Sequence, residues 1–273
     1  MNSTSINDLI INPKTKKFLK AYLNKPAHTL LLNGLKGVGL GAISKSLAYK
    51  IAKKNVIIIK PTLHKLQKTA NINVSDIKVV QKSLNNKRKE PLIVIIDEVD
   101  KMTASTPETL LKTLEEPVDN VFFILTTHNM FNIPQTIVSR SQVIYCLPEN
   151  CKEIINDIKP ATKKQKIEFM AKDLPAETMR LIQDEMYFRD KARLFEEAKR
   201  FITSSTYQRL IIISKFDKRI EAIDFIKIIN NITIITILKT GKTRKLSLLS
   251  EVLERLMQNG NIKAQLTYLA INY

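Results

Sequence analysis

Cysteine is scarce in this sequence of 273 residues: Cys146 and Cys151 are the only two, five positions apart, with no Cys or His cluster around them. That excludes a zinc site and a disulfide framework and suits a reducing, cytoplasmic setting. Long apolar runs are missing as well. The opening "MNSTSINDLIINPKTKK" has no apolar core of the kind a signal peptide needs. The most apolar late stretch, "IDFIKIINNITIITILKTG", is interrupted by Lys227, Asn230 and Asn231, so a buried helix is expected there and no membrane span. No internal repeat or low-complexity tract stands out. Acidic residues are in deficit, 26 against 44 basic, which leaves a net charge of +18. Such a surface favours contact with a polyanion through phosphate neutralisation, although a general bias toward lysine would scatter the same charge as a solvated coat. With 44% apolar residues a real core is available, and the length allows one or two ordinary domains plus a small appendage.

The first half alternates two textures. "HTLLLNG" (28–34) is a short apolar run ending in glycine, a buried-strand signal, and "AISKSLAYKIAKK" (42–54) has helical spacing and ends in lysines. "NVIIIKP" (55–61) reads as a strand stopped by proline, and "VSDIKVVQKSLNN" (74–86) as a helix. "PLIVIID" (91–97) is a continuous β-branched run, as expected of a central parallel strand covered on both faces. In "STPETLLKTLEEP" (105–117), Ser105 and Glu108 have capping-box spacing and Pro117 ends the helix. "NVFFILTT" (120–127) and "QVIYCLP" (142–148) complete the strands. This rhythm predicts an α/β fold built on a doubly wound parallel sheet, with ligands at the carboxyl ends of its strands. After Pro148 the patterns are helical, and the long segment "AETMRLIQDEMYFRDKARLFEEAKRFI" is expected to break near Phe188 or Arg189.

Three features point to chemistry. "NGLKGVGLGAISKSL" (33–47) has the form of a strand, glycine loop and helix start, whose backbone N–H groups can cradle phosphate. In the pattern G-x-x-x-x-G-K-[ST], the lysine reaches the phosphates and the hydroxyl ligates magnesium. Aligned on Gly34 and Gly39, with Gly37 between them, this chain has Leu40 and Gly41 at those two places. Lys36 and Lys45 lie at other points of the loop and helix, and the loop alone reads more readily as a tight strand–helix turn. The second feature is "LIVIIDEVD", which sets Asp97 and Glu98 at the sheet's carboxyl edge. There an aspartate can hold a magnesium-bound water and a glutamate can polarise a nucleophilic one; helix capping is the alternative. The third is Arg140 in "TIVSRSQVIY", either a surface charge or a guanidinium offered to a phosphate on a neighbouring subunit.

In order along the chain, "LLLNGLKGVGLG", "VIIDEVDKM", "TLLKTLEEP", "FFILTT" and "IPQTIVSRSQ" resemble the AAA+ domain of bacterial DNA polymerase III clamp-loader subunits, over about residues 6–150. The resemblance implies an AAA+ domain at 1–148, a small helical lid at 149–205 and a helical C-terminal collar-like domain at 206–273. It is similar to the delta-prime kind, which has a degenerate phosphate loop and donates the arginine of an S-R-C motif in trans. The loop lysine and the zinc cysteines of the gamma/tau kind are missing, whereas Ser139-Arg140 is present and Ser141 replaces the motif's cysteine. What the resemblance implies for the residues is specific. Arg140 would be an arginine finger; Gly34, Gly37, Gly39, Leu40 and Gly41 a degenerate loop; Asp97 and Glu98 a vestigial acidic motif; and Thr127 the sensor-1 position. No arginine stands in register for sensor 2, Arg180 being close but wrongly spaced. The implied protein has no metal site and no required cofactor, at most weak ATP or ADP binding, and no ATPase activity of its own. Its implied partners are gamma/tau-type and delta-type subunits of the DNA polymerase III holoenzyme, the sliding clamp and primer–template DNA. Two alternatives stay open: an ATP-hydrolysing gamma/tau-like subunit using Lys36 or Lys45, and a helical DNA-binding protein with the sheet as scaffold.

Overall fold

In the computed structural model, which describes residues 5–63, 70–84, 89–116, 118–240 and 244–273, the apolar runs become parallel strands. They are β1 (Thr29–Gly34), β2 (Val56–Ile59), β3 (Leu92–Ile96), β4 (Val121–Thr127) and β5 (Gln142–Cys146). The sheet order is β2-β3-β4-β1-β5, every neighbouring pair parallel. All five residues of β3 are buried, because helices cover both faces of an inner parallel strand. Period-two alternation sorts the side chains. Leu31, Val94, Ile96, Phe123 and Leu125 enter one cluster, with Ile77 and Val80 of α3 (Val74–Leu84) and Leu110 and Leu114 of α4 (Thr106–Glu115). Leu30, Leu32, Ile93, Ile95 and Ile124 enter the other, with Leu19 and Tyr22 of α1 (Pro13–Asn24) and Ile43 and Leu47 of α2 (Leu40–Ala52). Each buried aliphatic side chain contributes about 1.5–3 kcal/mol, so a charge inside β3 would be hard to accommodate.

The edge strands are shorter than the runs that announced them: β2 stops at Ile59 and β5 at Cys146. The expected helix over 74–86 is seen to Leu84; its last two positions, and Pro117, lie outside the described residues. The expected capping box does not form. Ser105 is in the right-handed helical region, φ −87° and ψ −11°, and makes no capping bond. A side-chain cap needs an extended backbone at that position. Thr106 anchors this end instead, its hydroxyl 2.7 Å from the Thr103 hydroxyl and 3.1 Å from the Ile72 carbonyl.

The chain divides into two compact units, Met1–Met179 and Arg180–Tyr273. The first ends with α5 (Gln135–Ser139), α6 (Lys152–Asn156), α7 (Ala161–Ala171) and the start of α8 (Pro175–Gln183). The second contains α9 (Glu185–Thr203), α10 (Thr206–Ile213), α11 (Arg219–Thr240), α12 (Arg244–Met257) and α13 (Ile262–Asn272). The expected break near Phe188 lies earlier. Asp184 caps α9 by accepting from the Tyr187 N–H at 2.9 Å, and Phe188 and Arg189 fall inside that helix. Phe201 and Phe225 meet edge to face at the centre of the second unit, 5.6 Å between ring centroids. The late apolar stretch is helix α11, with Phe225, Ile226 and Ile229 fully buried. Among the described residues no helix is long and apolar enough to cross a membrane.

Candidate functional site

β1 ends at Gly34, and the loop turns through Gly37 and Gly39, both with positive φ (98° and 102°), into α2. Glycine is needed at both, since other residues are strained there. α2 starts at Leu40, two residues earlier than its apolar spacing suggested, because left-handed Gly39 closes the turn at once. Leu40 is 3% exposed and packs with Val38, Ile43 and Leu47. The place of the loop lysine therefore belongs to the hydrophobic core. Lys36 and Lys45 are both exposed. Gly41 faces Asp97: a Cβ there would lie 3.9 Å from Oδ2, so the hydroxyl missing at position 41 would have stood beside that carboxylate. With neither ammonium nor hydroxyl in place, this donor set does not fit a magnesium-bound triphosphate. Two further contacts hold the loop. The N–H groups of Ala176 and Glu177, in the first turn of α8, donate to the Gly37 carbonyl at 2.8 and 3.1 Å. Behind Gly34 lies Cys146, whose thiol is pushed up to about 12 by burial, making it an inert packing group.

The acidic pair sits at the carboxyl edge of β3, but its groups are already engaged. Thr126, fully buried, donates to Asp97 Oδ1 at 2.6 Å and accepts from the Glu98 N–H at 2.9 Å. Glu98 adopts a left-handed conformation, φ 54°, and its carboxylate pairs with the Lys101 ammonium. Thr127 turns its hydroxyl to Asp100 Oδ1, 2.9 Å away, instead of toward the loop. The next residue is the one that reaches the loop. His128 Nδ1 lies 2.7 Å from the Gly34 carbonyl; a carbonyl only accepts, so Nδ1 carries the proton. Asp100 also accepts from the His128 N–H at 3.1 Å, which fixes the strand end beneath the ring. Neither His128 nor Asp100 was singled out by sequence. Their signal was position alone, one residue past a strand and three past Asp97.

Arg140 is elsewhere. It ends α5 with a partly exposed side chain, 39% accessible. Nη2 pairs with Glu115 Oε1 at 2.7 Å, and Nη1 donates to the Thr136 carbonyl at 3.1 Å. Ser141 bonds back to the Ile137 carbonyl at 2.7 Å. The structure thus groups the loop, Asp97 and the end of β4, and leaves Arg140 on the surface between the ends of α4 and α5. Arg180 stacks on the Tyr187 ring, 3.8 Å from its centroid. No group of three or more potential metal ligands occurs among the described residues.

Comparisons with known proteins give likenesses of sequence and of fold. The family described as DNA polymerase III, delta subunit, matches residues 52–150. A DNA polymerase III subunit gamma of Buchnera aphidicola (subsp. Baizongia pistaciae) is 30% identical over 56% of this chain and 46% of its own length. Subunit tau of Bacillus subtilis is 31% identical over 47% of this chain and 26% of its own. The chain thus spans half or less of the length of these curated relatives. A solved structure, the DNA polymerase III gamma subunit-related protein of Thermotoga maritima, superposes with TM-score 0.55 over 93% of this chain and 97% of its own. At 20% identity that likeness speaks for the fold. The sequence likeness to DNA polymerase III delta, gamma and tau subunits thus runs over about half of this chain, and the likeness of fold to the gamma subunit-related structure over nearly all of it.

Proposed function

We propose that the chain is a non-hydrolysing, delta-prime-like subunit of a replicative clamp loader, and that Arg140 completes an ATP site on a neighbouring gamma/tau-type subunit. One contrast carries this reading: Leu40 is sealed in the core where a loop lysine would stand, while Arg140 remains accessible at the end of α5. In mechanism, a guanidinium placed against the transferring phosphoryl group neutralises charge that develops in the transition state, an effect on the order of 10³–10⁵-fold in rate. The glycine loop, Asp97, Glu98 and Thr127 are then remnants that hold the carboxyl edge of the sheet in shape. Residues 149–205 and 206–273 would serve as lid and collar, and the basic surface would meet the DNA backbone without reading sequence.

The relatives named gamma and tau support a second reading, an ATPase in its own right. One reconstitution separates the two. The chain is combined with gamma/tau-type and delta-type subunits, sliding clamp and primer–template DNA, and ATP turnover is measured with wild type and Arg140→Ala. We expect the chain alone to be silent and Arg140→Ala to cost the assembly at least tenfold. Turnover by the chain alone establishes the second reading; an unaltered rate with Arg140→Ala ends the first.

A further inference from the structure

We infer that Glu115 is a positioning residue for Arg140, holding the guanidinium in the orientation it presents to a neighbouring subunit; this rests on the arginine-finger reading above. Glu115 is the last residue of α4. A carboxylate at a helix C-terminus opposes the helix dipole, so this position does not serve α4 itself. It does serve the cation lying 2.7 Å away. The second hold comes from α5, whose final carbonyls lack helical partners. The Thr136 carbonyl accepts from Nη1 at 3.1 Å. Two acceptors on different nitrogens, one from each helix end, fix the guanidinium plane as well as its place.

A guanidinium has five N–H donors in a rigid fork. Glu115 and Thr136 engage one on each terminal nitrogen, which leaves Nε–H and the second hydrogen of each Nη to meet phosphate oxygens. A free arginine would have to give up rotamer freedom on engaging a phosphate; this one is already held at two nitrogens. Glu115 lies 25 positions before Arg140, and only the packing of α4 beside α5 brings them together.

The test uses the reconstituted assembly with Glu115→Ala, Glu115→Gln, Arg140→Ala and the Glu115→Ala/Arg140→Ala double variant, each checked for an unchanged thermal transition of the chain. Glu115→Ala is expected to lower kcat about two- to fivefold, the size an exposed ion pair supports, with KM for ATP unchanged. Glu115→Gln keeps an oxygen acceptor at the same reach and should retain more than half the rate. In the Arg140→Ala background, Glu115→Ala should do nothing further. Unchanged or raised kcat with Glu115→Ala overturns the inference while leaving the finger intact, and so does a loss that persists without Arg140. A silent Arg140→Ala removes the finger reading and this inference together. A changed thermal transition in Glu115→Ala that Glu115→Gln shares, with equal loss of rate, assigns Glu115 to folding and overturns the positioning role.

Discussion

Leu40→Lys tests whether the phosphate loop has become part of the core. Restoring the lysine of a working loop would recover phosphate binding if the position still opened onto a ligand space. The structure says otherwise: Leu40 is 3% exposed among Val38, Ile43 and Leu47. Burying a leucine contributes about 1.5–3 kcal/mol, of which the lysine stem keeps a part. The ammonium must then lose water or force the packing apart. The sum is a loss of about 2–4 kcal/mol, the range of a large-to-small core change. Leu40→Met, of similar volume, should cost less than about 1.5 kcal/mol and serves as the control. The assay is urea unfolding followed by far-ultraviolet circular dichroism, with ATP binding measured in parallel. pH supplies an independent sign. A buried lysine has a folded-state pKa below the ~10.4 of the unfolded chain, so between the two values the unfolded state holds the extra proton. The deficit of Leu40→Lys is therefore greatest below the folded pKa and shrinks as pH rises toward about 10. A variant as stable as wild type at neutral pH that also gains tight ATP binding would refute the argument.

Two further outcomes are expected. Thr126→Val removes a hydroxyl that donates to Asp97 at 2.6 Å and accepts from the Glu98 amide, so stability should fall by about 2–4 kcal/mol in urea melts, with Thr126→Ser recovering most of it; a loss under about 0.5 kcal/mol would show the network to be idle. His28 has its pKa lowered by burial, against an opposing hydrogen bond with Val121, and its Nε2 is buried without a partner. Its neutral form is therefore the folded one: this contribution is complete above about pH 6.5 and is lost as pH falls through the lowered value. His28→Phe, which keeps a ring against Phe123, should flatten the stability profile below about pH 6.5, and an unchanged slope counts against the assignment.

What the sequence revealed followed from the range over which each signal acts. β1, β3 and β4 were legible because inner parallel strands need unbroken apolar runs, and "LIVII" admits few other environments. α1 was passed over because only Thr15, Leu19 and Tyr22 of its lysine-rich twelve residues are buried. The break before α9 lies four or five positions earlier than its spacing suggests, because Asp184 acts through one local bond that the helical pattern around Phe188 conceals. At the carboxyl edge, Asp97 and the glycines could be placed because strand ends fix them. The side chain reaching the loop could not, since consecutive residues at a strand end point to opposite sides; Thr127 turns to Asp100 and His128 to Gly34. Glu115 was out of reach for a different reason: its meaning comes from a neighbour on another helix.

The contact between Gly37 and α8 has a consequence for how this corner of the domain can move. A helix start normally leaves its first amides for water, a capping side chain or an anion. Here those of Ala176 and Glu177 are engaged by a carbonyl of the glycine loop, and a Cβ on Gly37 would come within 3.1 Å of Glu177 Cβ. The turn between β1 and α2 is thereby clamped to the opening turn of α8 by the polypeptide itself. In a protein whose loop embraces a nucleotide, such a turn registers whether the ligand is there. In this one the turn is also tied to residues 175–177, so a displacement at the start of α8 is passed directly to the glycine loop.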